Sequence, residues 1–128
     1  MNLGKILSVR KVLRSHADEK IPSMVAYKIM KFLKSTDSEE EFYNKKLNEI
    51  IEEYALRGDD GKIKTNDKDG GIQIIPSKLE DCKKAIEELQ STDVDMPNIK
   101  MSMEELSVFQ MSVVELTALD DFIENKEN

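Results

Sequence analysis

Residues 38–58, SEEEFYNKKLNEIIEEYALRG, and residues 59–75, DDGKIKTNDKDGGIQII, hold the strongest helical period and the densest turn chemistry of the chain. Tyr43, Leu47, Ile50, Ile51 and Tyr54 fall on one helical face, and Lys45 with Glu49 makes an i,i+4 pair outside it. Ser38 and Glu41 have the spacing of a capping box, the glutamates after Ser38 sit at the positive end of the helix dipole, and Gly58 offers a C-terminal cap. A long helix lining the core is expected. Beyond it, Asp59-Asp60-Gly61-Lys62 reads as a tight turn, Lys62 to Thr65 as a short strand, Asn66 to Gly71 as a second turn and Ile72 to Ile75 as the returning strand.

Asp67, Asp69 and Gly70 also match the third, fifth and sixth positions of a calcium-binding loop, with Ile72 at the eighth. That register puts Thr65 at the first position and Pro76 at the twelfth, where a bidentate Glu is needed. Turn formation explains the Asp and Gly residues without a metal. No metal is expected.

Upstream, Leu3, Ile6, Leu7 and Leu13, flanked by Val9 and Val12, give a first helix an apolar side, with Lys5, Arg10, Lys11 and Arg14 placed opposite. Pro22 suits the first turn of a second helix whose buried stripe is Val25, Ile29, Phe32 and Leu33. Lys28, Lys31 and Lys34 repeat on a neighbouring face. Downstream, Ser77 and Glu80 form another capping box, ahead of a stripe of Leu79, Cys82, Ile86 and Leu89. Thr92 to Met101 alternates as an edge strand able to join the hairpin, with Pro97 within it. Two further boxes, Ser102 with Glu105 and Ser112 with Glu115, start a short helix carrying Leu106 and Phe109 and a longer one carrying Val113, Leu116, Leu119, Phe122 and Ile123. The tail from Glu124 is charged and expected to fray.

The expected fold class is α+β and predominantly helical: about five helices with a small antiparallel β-hairpin or three-stranded sheet. Residues 1–128 form one domain, with a helical part at 1–57, the hairpin at 58–76, and a helix, a strand and two C-terminal helices at 77–128. An apolar content of 39% supports a real core; without Trp it relies on Leu, Ile, Val and Met, and Met96, Met101, Met103 and Met111 read as adaptable filling.

Cys82 is the single cysteine, which excludes an internal disulfide and fits a reducing compartment. No apolar run approaches the roughly 18 residues of a membrane span, and no signal-peptide core is present. A cytoplasmic protein is expected. The net charge of −7 divides into +6 over residues 1–34 and −13 over the remainder, two parts able to attract each other within one fold. The basic segment lacks interleaved aromatics or a recognised motif, so nucleic acid is not the expected partner. There is no phosphate loop, GxSxG, HExxH or CxxC, and His16, the lone histidine, reads as a solvated loop residue. The sequence predicts no enzyme and no cofactor. The exposed acids Glu49, Glu52 and Glu53 with the Asp59 and Asp60 turn are the expected protein-binding residues, suited to a basic partner.

Ile21, Pro22, Tyr27 and Ile29, then Tyr54, Ala55, Asp59, Asp60 and Gly61, then Val94, Met96, Ile99, Glu105 and Leu106 have counterparts in a known pattern. In this order the chain resembles a family of small uncharacterised proteins of tailed phages and prophages of Gram-positive bacteria. That family shares an "LP…Y.I" helix, a "YA…DE.G" exit and a "V.I..I…EL" C-terminal segment. Ile21 stands here for the usual Leu, and Met96 lies within the β segment. The resemblance implies an accessory protein in the host bacterial cytoplasm acting by protein–protein contact, with a bacterial defence effector as one target. The alternative it implies is a morphogenesis or tail-associated protein of the virion.

Overall fold

Asn2 starts the central helix by accepting a 2.9 Å hydrogen bond from the Lys5 amide, and α1 then runs over Leu3–Ser15. Its stripe of Leu3, Ile6, Val9 and Leu13 is at most 2% exposed. The computed structural model describes residues 1–66, 70–95 and 97–124. In it α2 spans Ser23–Ser35, α3 Asp37–Tyr54, α4 Leu79–Gln90 after a 3-10 turn at Pro76–Lys78, α5 Met103–Leu106, and α6 Val113–Leu119 ahead of a second 3-10 turn at Asp120–Phe122. α1 packs against α3, α4 and α6. The main cluster joins Ile6, Val9 and Leu13 to Val25, Ile29 and Phe32 of α2 and to Met101, Leu106, Phe109, Leu119 and Phe122 of the C-terminal part. Phe32 and Phe122 meet edge-on at 5.0 Å, a favoured geometry for paired rings.

The long helix departs from expectation. None of its residues is buried; Tyr43, Leu47, Ile50, Ile51 and Tyr54 are half-buried, because α3 packs chiefly along α4 at the flank of α1. It begins at Asp37, one residue before the expected box, and Ser38 Oγ donates instead to Glu39. Ser77 with Glu80 forms no cap either, since the chain enters α4 through the 3-10 turn. The boxes at Ser102 and Ser112 both form. Leu79 and Val113, placed on buried stripes by period alone, are 42% and 81% exposed. The methionines divide: Met101 is buried, Met111 half-buried and Met103 exposed, while Met96 lies outside the described residues.

No sheet forms among the described residues, where the expected hairpin segments pair only through isolated bridges. Leu56 N–H donates to Gln73 C=O at 2.8 Å, Gln73 N–H to Lys64 C=O at 2.9 Å, and Lys64 N–H to Leu56 C=O at 2.8 Å. In an antiparallel ladder a bonded pair exchanges both groups with one partner. Here each residue gives its N–H to one segment and its C=O to another, so three segments close a ring. Only isolated antiparallel bridges result, at Ala55–Ile74, Arg57–Ile63 and Thr65–Ile72. Gly61 and Gly70 turn the chain with φ of +77° and +69°, which glycine adopts without a Cβ clash. Asp67 and Asp69 of the tested calcium register lie outside the described residues. Among the described residues, Thr92 to Met101 makes no bridge to this unit. Leu3 N–H donates to Thr92 C=O and Val94 N–H to Met1 C=O, whereas Met101 bridges in parallel to Ile123. Thr92 and Val94 thus bond to the residues at the start of α1, and Met101 to Phe122 and Glu124.

Candidate functional site

At the end of α3, Glu49, Glu52 and Glu53 lie three and four residues apart and therefore share one exposed side of the helix. Lys46 Nζ, rather than the expected Lys45, reaches Glu49 at 3.2 Å. Arg57 donates to Glu52 at 2.6 Å and, through its other terminal nitrogen, to Gly61 C=O at 2.8 Å. Asp60 Oδ1 accepts from Lys62 N–H at 2.9 Å and closes the turn. One guanidinium thus straps the Asp59–Asp60 turn to the helix end. Glu53 and Asp59 have no ion-pair partner among the described residues. Burial, followed by the charges of Glu53 and Asp81, raises the Tyr54 phenol above its ordinary value.

Sequence reasoning missed two charged centres. Arg10 was placed on the polar side of α1, yet it is 2% exposed. Its Nη1 donates to Leu33 C=O and Thr36 Oγ1, each at 2.6 Å, its Nε to Glu40 at 2.6 Å and its Nη2 to Asp37 at 2.9 Å. Thr36, itself buried, donates to Phe32 C=O at 2.8 Å and is the single residue between α2 and α3. Arg14 adds a 2.9 Å contact to Glu40. Arg10 falls at the i,i+3,i+4,i+7 spacing of Ile6, Val9 and Leu13, so the periodicity did contain the signal.

His16 is no solvated loop residue. It ends α1, lies 5.1 Å from the Phe109 ring, and turns Nδ1 to Glu19 and Nε2 to Glu115 at 2.6 Å. With a carboxylate facing each nitrogen, the doubly protonated ring is the form that donates to both. Burial acts to lower the imidazole pKa, but the hydrogen bonds and charges of Glu115 and Glu19 outweigh it, and the net shift is upward. Glu115 is held below the carboxylate norm by the Ser112 backbone amide and then by His16. Glu115 lies 99 residues away in sequence, beyond any local signal.

Next to His16, a groove of ≈ 270 Å³ opens between the α1–α2 connection and α2, with Ile21, Ala26, Ile29, Met30 and Leu33 in its lining. Three charged residues, Glu19, Lys34 and Asp37, also border it. No group of three or more His, Cys, Asp and Glu positioned to hold a metal occurs among the described residues, and no helix there is long and apolar enough to cross a membrane.

Scans of the chain against protein-family models, curated proteins and solved structures return no match.

Proposed function

We propose that this chain is a non-enzymatic accessory protein of phage origin that acts in the host bacterial cytoplasm by binding a basic surface on another protein, with a bacterial defence effector as its target. The observation that supports this reading is the acidic ridge of Glu49, Glu52, Glu53, Asp59 and Asp60, in which Arg57 ties the turn to the helix end. In this reading the 58–76 segment acts as a hairpin that presents the turn. Charges fixed before encounter lose little entropy on binding and steer a basic partner, so they act on association rate more than on final affinity.

Affinity purification from the natural host tests it. A defined host nuclease or immune effector is expected, with recovery falling as salt is raised and lost when Glu49, Glu53 and Asp59 are changed to Lys. Recovery of capsid or tail proteins alone, together with the chain's presence in purified particles by mass spectrometry, overturns the inhibitor reading in favour of a virion role.

A further inference from the structure

A cleft of ≈ 330 Å³ lies between α1 and α3, within the roughly 300–1,000 Å³ of sites that enclose small ligands. On the α1 side Leu7, Lys11 and Arg14 follow the i,i+4,i+7 spacing of one helical face, with Arg10 beside them. On the α3 side stand Glu40, Tyr43 and Asn44, at i,i+3,i+4. The walls are fixed before any ligand arrives. Arg10 and Arg14 both hold Glu40, and Arg10 also bonds Thr36 at the α2–α3 corner, so the start of α3 is pinned to α1.

The polar groups of this cleft divide into spent and free. Glu40, the one carboxylate in its lining, accepts from Arg10 Nε at 2.6 Å and from Arg14 Nη1 at 2.9 Å. Arg10 is 2% exposed and gives its other N–H groups to Leu33, Thr36 and Asp37. Lys11 Nζ makes no ion pair or hydrogen bond among the described residues. The same holds for Arg14 Nε and Nη2, the Tyr43 hydroxyl and the Asn44 amide. The unused groups are chiefly donors. Their charge is positive: three cations line the cleft against Glu40, and counting Asp37 on Arg10 still leaves Lys11 uncompensated, in a chain of net charge −7.

Leu7 and Tyr43 are half-buried and give the same cleft an apolar side. Unused donors beside an apolar wall fit a ligand that is rich in acceptors at one end and apolar at the other. Arg and Lys bind a phosphate or carboxylate through charge-assisted hydrogen bonds, and a Tyr face receives a flat ring.

We infer that the α1–α3 cleft is a binding site for a small organic anion, with a planar ring against Tyr43 and Leu7 and a phosphate or carboxylate held by Lys11 Nζ and the free nitrogens of Arg14. A neutral ring leaves those donors unmatched, and an inorganic anion leaves the apolar side in water, so each binds more weakly.

The test titrates the isotope-labelled full chain with phenyl phosphate, benzoate, benzyl alcohol and inorganic phosphate, and follows backbone amide chemical shifts. The tighter of the two ring-bearing anions is expected to bind at least about tenfold more strongly than benzyl alcohol or inorganic phosphate, with shifts centred on residues 7–14 and 40–44. Comparison of phenyl phosphate with benzoate identifies the head group. K11Q, at an exposed side chain with no bond of its own, is expected to weaken that anion about fivefold or more, and K11E further. Both variants are checked for unchanged melting and circular dichroism. Y43L is expected to cut the ring's advantage over inorganic phosphate about threefold or more. K45Q, on α3 outside the cleft, and Glu49→Lys with Glu53→Lys, on the ridge, are each expected to leave binding within about twofold, which separates this site from the proposed function. No saturable binding at millimolar ligand, affinity untouched by both K11Q and K11E, or shifts spread over lysines outside the cleft overturns the inference. So does benzyl alcohol or inorganic phosphate binding as tightly as both ring-bearing anions.

Discussion

Replacing Arg10 with Met removes the guanidinium while keeping an unbranched stem of similar reach, so the change isolates the polar knot at the α2–α3 corner. Four groups lose a donor: Leu33 C=O, Thr36 Oγ1, Asp37 and Glu40. A hydrogen bond to a charged group contributes about 1.5–3 kcal/mol, and breaking a fully buried pair costs about 3–5 kcal/mol. Glu40 and Asp37 are 25% and 57% exposed at the side chain, so both re-solvate. Thr36 retains Phe32 C=O, and Leu33 C=O still accepts from the Thr36 amide at 3.3 Å, so neither is left bare. These offsets place the loss at about 2–3 kcal/mol. With an unfolding entropy of about 2.1 cal/mol/K per residue and 128 residues, 1 kcal/mol corresponds to about 4 °C, so Tm should fall roughly 8–11 °C by calorimetry. Arg10→Lys keeps the charge without the planar fork and should fall between. A double-mutant cycle with Glu40→Gln should give a coupling of about 1 kcal/mol or more. A Met variant that loses under about 3 °C, or a Lys variant that melts with the wild type, would refute the corner as an anchor.

His16 sets a pH dependence of defined sign. Its folded pKa is raised, so its stabilisation is fully present below the unfolded value of about 6.5 and is lost as pH rises through the folded value. Urea melts should therefore weaken from pH 6 toward 8, and His16→Gln should flatten that slope. Glu105 and Glu115 titrate below the carboxylate norm, so their contribution is present above it and disappears as pH falls; Glu105→Gln, which removes the charge paired with Lys28, should reduce the loss on acidification. Ser102→Ala should cost about 1 kcal/mol through loss of its cap, whereas Ser38→Ala, at a box that does not form, should stay within about 0.3 kcal/mol; equal costs in denaturant melts would contradict the observed helix starts. Gly61→Ala meets no atom within 4 Å but must hold a φ of +77°, and should cost about 1–2 kcal/mol by the same melts, an effect absent if the turn relaxes.

Much of the fold follows from spacings within a few residues. The stripes of α1 and α2, the caps at Ser102 and Ser112, and the glycine turns at 61 and 70 are local, because i,i+3 and i,i+4 contacts and φ preferences act within one turn of chain. The acids Glu49, Glu52, Glu53, Asp59 and Asp60 were readable as exposed for the same reason, since their neighbours define the apolar face. What the period could not tell was how deeply each face is covered. The Tyr43–Tyr54 stripe has a core pattern, yet α4 covers it only in part, and Val113 starts a stripe whose Leu119 and Phe122 reach the core while Val113 itself stays exposed.

Other features required groups distant in sequence. Start sites competed: Ser38 could cap α3, but Arg10, 26 residues before Thr36, fixes the corner and the helix begins at Asp37. The segments 62–65 and 72–75 meet at the Thr65–Ile72 bridge. Leu56 also bonds to each of them, so a ring of three forms where two segments alone would make a ladder. His16 is bland in sequence and becomes a clamp because Glu115 arrives at α6. By itself, then, the sequence determined where helices and turns can form, since those choices depend on neighbours one turn apart. The tertiary structure decided which charges are buried and which caps are used, because those choices depend on partners brought from across the chain, whose pairing offsets the cost of removing charge from water.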